Sequence, residues 1–247
     1  MESIDLAYKD LAGQVLEYGQ MRDTRNGKTI SLFGTTLSFN MAHIGLPLLS
    51  LRKIYFNGVV GEFRGFLRDA TTVQEFKDLG CNYWDLWADK DGNLTLDYPP
   101  REQLSAVVES IIKDPNGRRH MINLWNHKHL PSLSLPCCHF NYQFYVRDEY
   151  LDMVWTQRSV DVAVGLPSDF ILAALYLIYI GEQTNLKPGR VVMNFGDTHI
   201  YEEHIKDMEM MLQRTPSYSY IDYQWENEEL VPLNYKFHDP IKFELKG

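Results

Sequence analysis

The run FILAALYLIYI, residues 170–180, is the feature that most constrains the fold of this chain. As a helix it is apolar nearly all round, a pattern typical of a helix that is buried on every side. Its length is about half of the ~20 residues that cross a bilayer, so it predicts a central core helix rather than a membrane span. The rest of the chain has to supply the layers that cover it.

Two further patterns predict the helices of those layers. Ile4, Tyr8, Leu11, Val15 and Tyr18 recur at helical spacing, and so do the apolar residues of 104–112, among them Ile111 and Ile112. Another helix is predicted over 202–212, and the sequence PSDF is expected to open the apolar helix near Phe170.

The strand patterns are interspersed among these helices. TISLFGTTLSFNM, residues 29–41, predicts two strands around a Gly-Thr-Thr turn, and residues 139–146 alternate as a strand does. KPGR, residues 187–190, predicts a turn before the short strand VVMNF. Because no regular βαβ rhythm appears, we expect an α+β fold, helices on a mixed sheet, in a single domain over 1–247.

Composition narrows the classes of partner. The 247-residue chain has a formal net charge of −9, which argues against a broad basic face for DNA or RNA, although a local arginine cluster can still bind a small anion. Three cysteines, two of them adjacent, do not make a disulfide framework, and the start shows no signal-peptide pattern. We therefore expect a soluble, reduced, cytoplasmic protein with no nucleic-acid or membrane partner.

The segment LPCCHFNYQFYV, residues 135–146, places a thiol where the predicted strand begins. Cys138 is either a buried structural cysteine or a nucleophile, since a thiol becomes reactive when cationic neighbours favour the thiolate. A metal site of Cys137, Cys138 and His139 is disfavoured, because adjacent residues do not readily converge on one tetrahedral ion. The segment alone leaves the first two interpretations open.

This segment closely resembles the active-site segment of thymidylate synthases, in which Leu-Pro-x-Cys-His is followed by Gln-Phe-Tyr-Val. The resemblance continues in family order through SLFGTTLSFNM, LPLLSLRKIYFNGVVGEF, WDLWADKDGNL, DPNGRRHMINLWN, QRSVDVAVGLP and GDTHIYEEH. The chain is thereby identified as a member of the superfamily of thymidylate synthases and related pyrimidine nucleotide hydroxymethylases. The resemblance implies a thymidylate synthase-like fold and a symmetric homodimer formed through the sheet.

The resemblance also implies a reaction at C5 of a pyrimidine nucleotide. Cys138 would add to C6, so that C5 can capture the one-carbon unit of methylenetetrahydrofolate, the co-substrate; no metal is implied. Glu62 would organise water and relay protons near the base, unless it is an ordinary surface glutamate. Tyr98 matches the base for the C5 proton only weakly, because the sequence after it departs from the family pattern. His139 would support the nucleophile.

Nucleotide binding is implied for several residues. Arg158 matches an arginine that contacts the phosphate, where guanidinium groups suit a dianion, and Ser159 would donate a further hydrogen bond. Arg25 is preferred to Arg22 as a further phosphate ligand. The remaining residues that the resemblance places at the nucleotide are Gln157, His199 and Tyr201.

Arg118 and Arg119 match a pair that family members contribute across the dimer interface into the partner's site. The alternative for this pair is two solvated arginines after a helix. A shared site of this kind requires a symmetric homodimer.

Folate binding is implied for a second group. Trp84 and Trp87 offer flat faces to the pterin and aminobenzoate rings, unless they are ordinary core or surface tryptophans. Asp161 matches a carboxylate that bonds the pterin, and Arg52 stands where the family uses a cation toward the glutamate tail. Gly165 belongs to the same folate-binding set.

The sequence departs from thymidylate synthases at GLPSDF, where the family has Gly-Leu-Pro-Phe-Asn. Asp169 replaces an asparagine that reads the uracil edge, and a carboxylate accepts from the N4 amino group of cytosine but opposes O4 of uracil. This predicts dCMP as the substrate. The alternative is that Asp169 only caps the helix that begins near Phe170.

Two departures bear on the product. Ser168 replaces a phenylalanine that would face the folate, and the chain ends in the charged sequence IKFELKG instead of an apolar tail, so the site is expected to close less tightly and admit water. We therefore predict 5-hydroxymethyl-dCMP, with 5-methyl-dCMP as the competing product because both tryptophans remain. The motifs also leave open thymidylate synthase or dUMP hydroxymethylase activity, CMP hydroxymethylation, and a catalytically inactive nucleotide-binding regulator.

Overall fold

A computed structural model describes residues 3–98 and 101–246 and confirms the α+β class. Within these residues a mixed sheet of six strands has the order β1-β2-β6-β5-β4-β3, and β7 and β8 form a separate hairpin. The strands are β1 (Gln20–Thr24), β2 (Gly27–Asn40), β3 (Met121–Asn123), β4 (His139–Arg147), β5 (Tyr150–Asp161), β6 (Lys187–Tyr201), β7 (Tyr223–Glu226) and β8 (Glu229–Pro232). The helices are α1 (Ile4–Tyr18), α2 (Met41–Ile44), α3 (Phe56–Leu67), α4 (Val73–Asp78), α5 (Arg101–Lys113), α6 (Gly165–Thr184) and α7 (Ile205–Leu212).

The apolar helix α6 occupies the centre of the core, as its composition predicts. It packs on strands β5 and β6 and against α3 and α5, so its apolar side chains meet protein on all sides. Length and composition alone would allow it to cross a membrane, but 72% of its most apolar window is buried inside the protein. The helix begins at Gly165, a full turn before the position expected from the sequence, and this moves Asp169 from the cap into the helix.

Two of the strand predictions were wrong in extent. TISLFGTTLSFNM lies in one continuous strand, β2, because Gly34 takes up a φ of 81° and pairing with β6 continues on both sides of it. The hairpin turn lies earlier, between Thr24 and Gly27, where β1 pairs with β2. KPGR is likewise part of the 15-residue strand β6 rather than a turn, because its backbone pairs with β5 and with β2.

Strand β4 departs from simple alternation at its first residues. The register with β5 shifts between His139 and Asn141, which marks a β-bulge. Simple alternation along 139–146 would place His139 and Tyr142 on opposite faces. The bulge brings them to the same face, where His139 is buried and contacts the Tyr142 hydroxyl.

The helix predictions at 4–18 and 104–112 were confirmed, with two exceptions in burial. Tyr18 ends α1 and Ile112 lies on the outer side of α5, and each is 63% exposed. The predicted helix over 202–212 consists of a short 3-10 turn, Glu202–His204, followed by α7.

Candidate active site

Cys138 directly precedes β4, and two neighbouring side chains contact its backbone and its sulfur. Its amide N–H donates to the Tyr98 hydroxyl at 3.1 Å. The Arg158 guanidinium, from the adjacent strand β5, donates to the carbonyls of Pro136 (2.7 Å) and Cys137 (3.0 Å) and lies 3.6 Å from the Cys138 Sγ. The thiol therefore faces a cation that is held by the backbone of the nucleophile's own segment.

A cationic neighbour alone would favour the thiolate of Cys138, but burial of the thiol has the larger effect on its pKa. Burial raises the pKa of Cys138, the Arg158 charge opposes that increase, and the Asp169 carboxylate adds to it. Because burial is the largest effect, the ligand-free protein holds the neutral thiol. Arg158 limits the cost of forming the thiolate without reversing it.

Cys138 opens into a cavity of about 310 Å³, and several of the sequence-predicted site residues share its wall. Glu62, Tyr98, His139, Gln157 and Ser159 line it together with Trp84, Trp87, Asp161, Gly165 and Asp169. They come from α3, β4, β5, α6 and the loops between them, which the pairing of β4 with β5 and the packing of α6 on the sheet bring together.

Glu62 lies on α3 and faces this cavity, not bulk solvent. Burial raises the pKa of Glu62 to about 8, the Tyr83 hydroxyl opposes that increase with a hydrogen bond at 3.0 Å, and the charge of Asp169 adds to it. A carboxyl with this pKa can both hold and release a proton near neutral pH, as a group in general acid–base work must.

Asp169 does not cap its helix. One of its carboxylate oxygens, Oδ2, accepts a hydrogen bond from Gln157 Nε2 at 2.8 Å, and burial raises the pKa of Asp169 to about 7. Asp161 instead stabilises the turn that leads into α6, where its Oδ1 accepts from the N–H groups of Ala163 (2.8 Å) and Val164 (3.2 Å). Asp169 is thus left to present its other oxygen to the cavity.

His139 and Tyr98 form an aromatic wall behind the nucleophile. The two ring centroids are 4.5 Å apart, and burial lowers the pKa of His139 to about 3, so its imidazole is neutral. Burial raises the pKa of Tyr98 well above its ordinary value, so this hydroxyl keeps its proton in the ligand-free protein.

Ser159 connects the main cavity to a smaller one of about 160 Å³. The smaller cavity is lined by Arg25 from the β1–β2 turn and by His199 and Tyr201 from the end of β6. Of the two arginines that the sequence analysis considered, Arg25 lines this cavity. Asp197 and Asn26 complete its polar wall. The two cavities are adjacent at Ser159 and are together called the cleft, with a polar end at His199 and an apolar end at the tryptophans.

The apolar end of the cleft contains the two tryptophans. Trp84 is 4% exposed and packs edge-on to Trp87 at 5.4 Å between ring centroids, so one indole is a core residue that also faces the cavity. An aromatic ligand can stack or pack edge-on at such a wall. Gly165, at the start of α6, lines the same cavity as the two indoles.

The C-terminal tail differs from the expectation that its charges would keep it open. Leu245 lines the main cavity, and Phe243 lies 5.2 Å from the Arg52 guanidinium, which itself donates to the Ala163 carbonyl at 2.7 Å. Lys246 forms an ion pair with Glu203 outside the cavity. Apolar and charged residues alternate along this extended segment, so its apolar side chains can face the protein while the charges face solvent.

Arg118 and Arg119 lie apart from the cleft of their own chain. They are exposed in the turn after α5, where they line a separate depression with Asp114 and His120. A role for them in nucleotide binding therefore requires a second subunit. Residues 3–98 and 101–246 contain no cluster of three or more His, Cys, Asp or Glu side chains that could hold a metal ion.

A family model described as thymidylate synthase matches residues 6–246. The chain belongs to the thymidylate synthase family. It is 32% identical over 265 residues to a thymidylate synthase of Corynebacterium aurimucosum, an alignment that covers 98% of each protein. Membership makes it a folate-dependent transferase that acts on C5 of a pyrimidine nucleotide, with methylenetetrahydrofolate as the family's one-carbon donor.

Five residues that line the main cavity were not singled out in the sequence analysis, namely Tyr83, Leu135, Val160, Val164 and Leu245. Tyr83 directly precedes Trp84, so its neighbourhood was visible, but no pattern shows that its hydroxyl reaches Glu62. Leu245 could have been found from the alternation of apolar and charged residues in IKFELKG.

Proposed function

We propose that this protein is a cytoplasmic enzyme that converts dCMP to 5-hydroxymethyl-dCMP with methylenetetrahydrofolate and water. The observation that carries the proposal is the position of Asp169, which lines the same cavity as Cys138 and is held there by Gln157. The family has an asparagine at this point of the motif. The resemblance to the family assigns roles in its reaction to most of the other polar residues of the cleft.

The chain's own groups divide the chemistry among them. Cys138 Sγ adds to C6 of the base, with Arg158 at 3.6 Å stabilising the thiolate as its proton leaves. Methylenetetrahydrofolate, held against Trp84 and Trp87, supplies the one-carbon unit. Glu62, with a pKa of about 8, exchanges protons with water and the base. Loss of the C5 proton would expel tetrahydrofolate, water would add to the resulting exocyclic methylene group, and expulsion of Cys138 would restore the aromatic ring.

Phosphate and sugar occupy the polar end of the cleft. Arg25 from the lining of the smaller cavity and Arg158 from beside Cys138 would provide guanidinium groups for the dianion, and Ser159, which lines both cavities, would donate its hydroxyl. His199 and Tyr201 line the smaller cavity, where the sugar 3′-hydroxyl would bond to them.

The base preference follows from Asp169. Because Oδ2 accepts from Gln157, Oδ1 is free for the base, and in the ionised carboxylate it accepts from the N4 amino group of cytosine. The same oxygen opposite O4 of uracil makes an unsatisfied acceptor pair, which costs about 1–3 kcal/mol. A carboxyl with a pKa of about 7 also keeps a proton within reach of cytosine N3 near neutral pH.

A dUMP-directed reaction is the second candidate, and the same pKa favours it. A neutral carboxyl has one donor and one acceptor, as an amide does, so the protonated form of Asp169 can match the uracil edge. The name of the relative from Corynebacterium aurimucosum agrees with that interpretation. The two candidates differ in pH dependence, because use of dUMP should fall as Asp169 ionises.

The hydroxymethyl product rests on Ser168. Ser168 lines the cavity in place of the family phenylalanine, and its hydroxyl has no hydrogen-bond partner among the described residues, so it can hold a water molecule there. The tail does not strengthen this argument, since Leu245 already covers the cavity. Methylation to 5-methyl-dCMP is therefore the competing reaction, and identification of the product distinguishes it from hydroxymethylation.

The open face of the sheet supports a homodimer. One row of paired residues crosses four strands on the face opposite the core residues of β5, namely Met121, Gln143, Val154 and Val192. Of these, Met121 is 45% exposed and Val154 is 36% exposed. A sheet with apolar side chains on an uncovered face is typical of an interface. We propose that two copies pair through this face and exchange Arg118 and Arg119.

Tritium release tests the proposal directly. The protein is incubated with methylenetetrahydrofolate and either dCMP or dUMP labelled with tritium at C5, and products are identified by mass spectrometry. We expect faster release from dCMP, a product heavier by one hydroxymethyl group, and no dihydrofolate. A Cys138→Ser variant should release no tritium and still bind dCMP. Preference for dUMP, or no release from either, would refute the proposal, the latter favouring a regulator.

A further inference from the structure

Tyr83 reaches two acceptors on one turn of α3. Its hydroxyl lies 3.0 Å from Glu62 Oε2 and 3.3 Å from the carbonyl oxygen of Gly58. The approach depends on the glycine, because a Cβ at position 58 would lie 3.2 Å from a carbon of the Tyr83 ring and closer still to Tyr55. The hydroxyl therefore lies within hydrogen-bond distance of both the Glu62 carboxyl and the Gly58 carbonyl.

A tyrosine hydroxyl has one proton and can donate to only one of these acceptors at a time. When Glu62 is ionised, the proton of Tyr83 points to Glu62 Oε2. When Glu62 is neutral, its own O–H donates to the Tyr83 oxygen, and the Tyr83 proton turns to the Gly58 carbonyl. Each protonation state then has a complete set of hydrogen bonds, and the heavy atoms need not move.

We propose that Tyr83 is a positioning residue that turns its hydroxyl proton between Glu62 and the Gly58 carbonyl as Glu62 loses and gains its own proton. Only the direction of one O–H bond changes at Tyr83. The proton that Glu62 releases passes to water or to the bound base and returns by the same route. The inference rests on the proposed function only for its effect on turnover.

Two side-chain donors, Tyr83 and Trp84, oppose the raised pKa of Glu62, and Tyr83 has the larger effect. The other titratable groups that interact with Glu62 are all acids. Cys81 lies in the loop before the tryptophans and Tyr98 lies beside the nucleophile, whereas Asp169 and Tyr176 lie on α6. None of these can carry a positive charge. Burial also keeps the pKa of Tyr83 well above its ordinary value, so its hydroxyl remains a donor throughout.

Tyr83→Phe tests the switch without any substrate. Removing a donor to a charged group should raise the pKa of Glu62 by about one to two pH units. The infrared carbonyl band of protonated Glu62, identified by its loss in Glu62→Gln, is followed against pH in the ligand-free protein. Tyr55→Phe is the matched control, because the Tyr55 hydroxyl bonds the Gly80 carbonyl at 3.3 Å and its removal should leave the band unchanged.

Two further measurements make the test independent of folding and of the substrate. A fluorinated tyrosine at position 83 is a stronger donor and should shift the Glu62 pKa in the opposite direction. In turnover, the limb of the kcat profile that belongs to Glu62 should move to higher pH in Tyr83→Phe, with little change in KM. An unchanged Glu62 titration in both variants overturns the inference, whereas absence of tritium release from either nucleotide overturns only the proposed function.

Discussion

Replacing Asp169 with asparagine is the sharpest perturbation that the site allows. Gln157 Nε2 donates to Asp169 Oδ2 at 2.8 Å, and an asparagine keeps that bond by placing its carbonyl oxygen there. Its NH₂ group then takes the place of Oδ1 and faces the base. One acceptor becomes one donor, with no change in shape.

The size of the effect follows from the burial of this edge. A donor opposite uracil O4 relieves a mismatch of about 1–3 kcal/mol, and the same donor opposite the cytosine N4 amino group creates one of about that size. Each kcat/KM should therefore change by about 10- to 100-fold, in opposite directions, and the ratio of the two by about 10²- to 10⁴-fold. The variant should also lose the pH dependence that a carboxyl with a pKa of about 7 imposes.

The assay is tritium release from dCMP and dUMP, with kcat/KM measured for both nucleotides between pH 6 and pH 9, roughly the range around that pKa. Two controls distinguish a loss of base recognition from a general loss of activity. Asp169→Ala should weaken both reactions without reversing the preference, and Asp197→Asn, in the smaller cavity, should leave the preference unchanged. If Asp169→Asn keeps the parental ratio while remaining folded and active, Asp169 does not read the base.

Three further outcomes are expected. Ser168→Phe should move the product from 5-hydroxymethyl toward 5-methyl, seen as a rise in dihydrofolate; an unchanged product ratio would mean that Ser168 does not admit water. Inactive Arg119→Ala and Cys138→Ser proteins, mixed so that subunits exchange, should regain roughly a quarter of parental activity, since random pairing leaves one intact site in half of the dimers; no recovery would argue against a shared site. Glu62→Gln should stabilise the protein by a few kcal/mol at pH 8, on the order of the shift from 4.5 to about 8 in its pKa. Folded Glu62 holds its proton while the unfolded form ionises, so thermal unfolding at pH 5 and pH 8 should show the advantage only at the higher pH.

Motif order was sufficient to nominate most of the site residues. Cys138, Arg158 and Asp169 were identified from short segments. In the structure Cys138, just before β4, lies 3.6 Å from Arg158 of β5 and lines one cavity with Asp169 of α6. The roles of the two carboxylates at the start of α6 were harder to predict. The sequence offered Asp169 as the helix cap, but α6 begins at Gly165 without a side-chain cap, and Asp161 bonds the N–H groups of the turn before it. Helix boundaries depend on backbone bonds across the whole turn, and a single local sequence does not fix them.

The sequence by itself determined the buried central helix, the α+β class and the residue types that meet at the cleft, because apolar periodicity and motif order are properties of the chain alone. The tertiary structure decided what each polar group contacts. The bulge that turns His139 inward, the Gln157 bond that orients Asp169, the Tyr83 hydroxyl at Glu62 and the apolar face of the tail all join residues distant in sequence or in register. Burial by those contacts sets the pKa values of the two carboxyl groups, and burial is known only when the chain has folded.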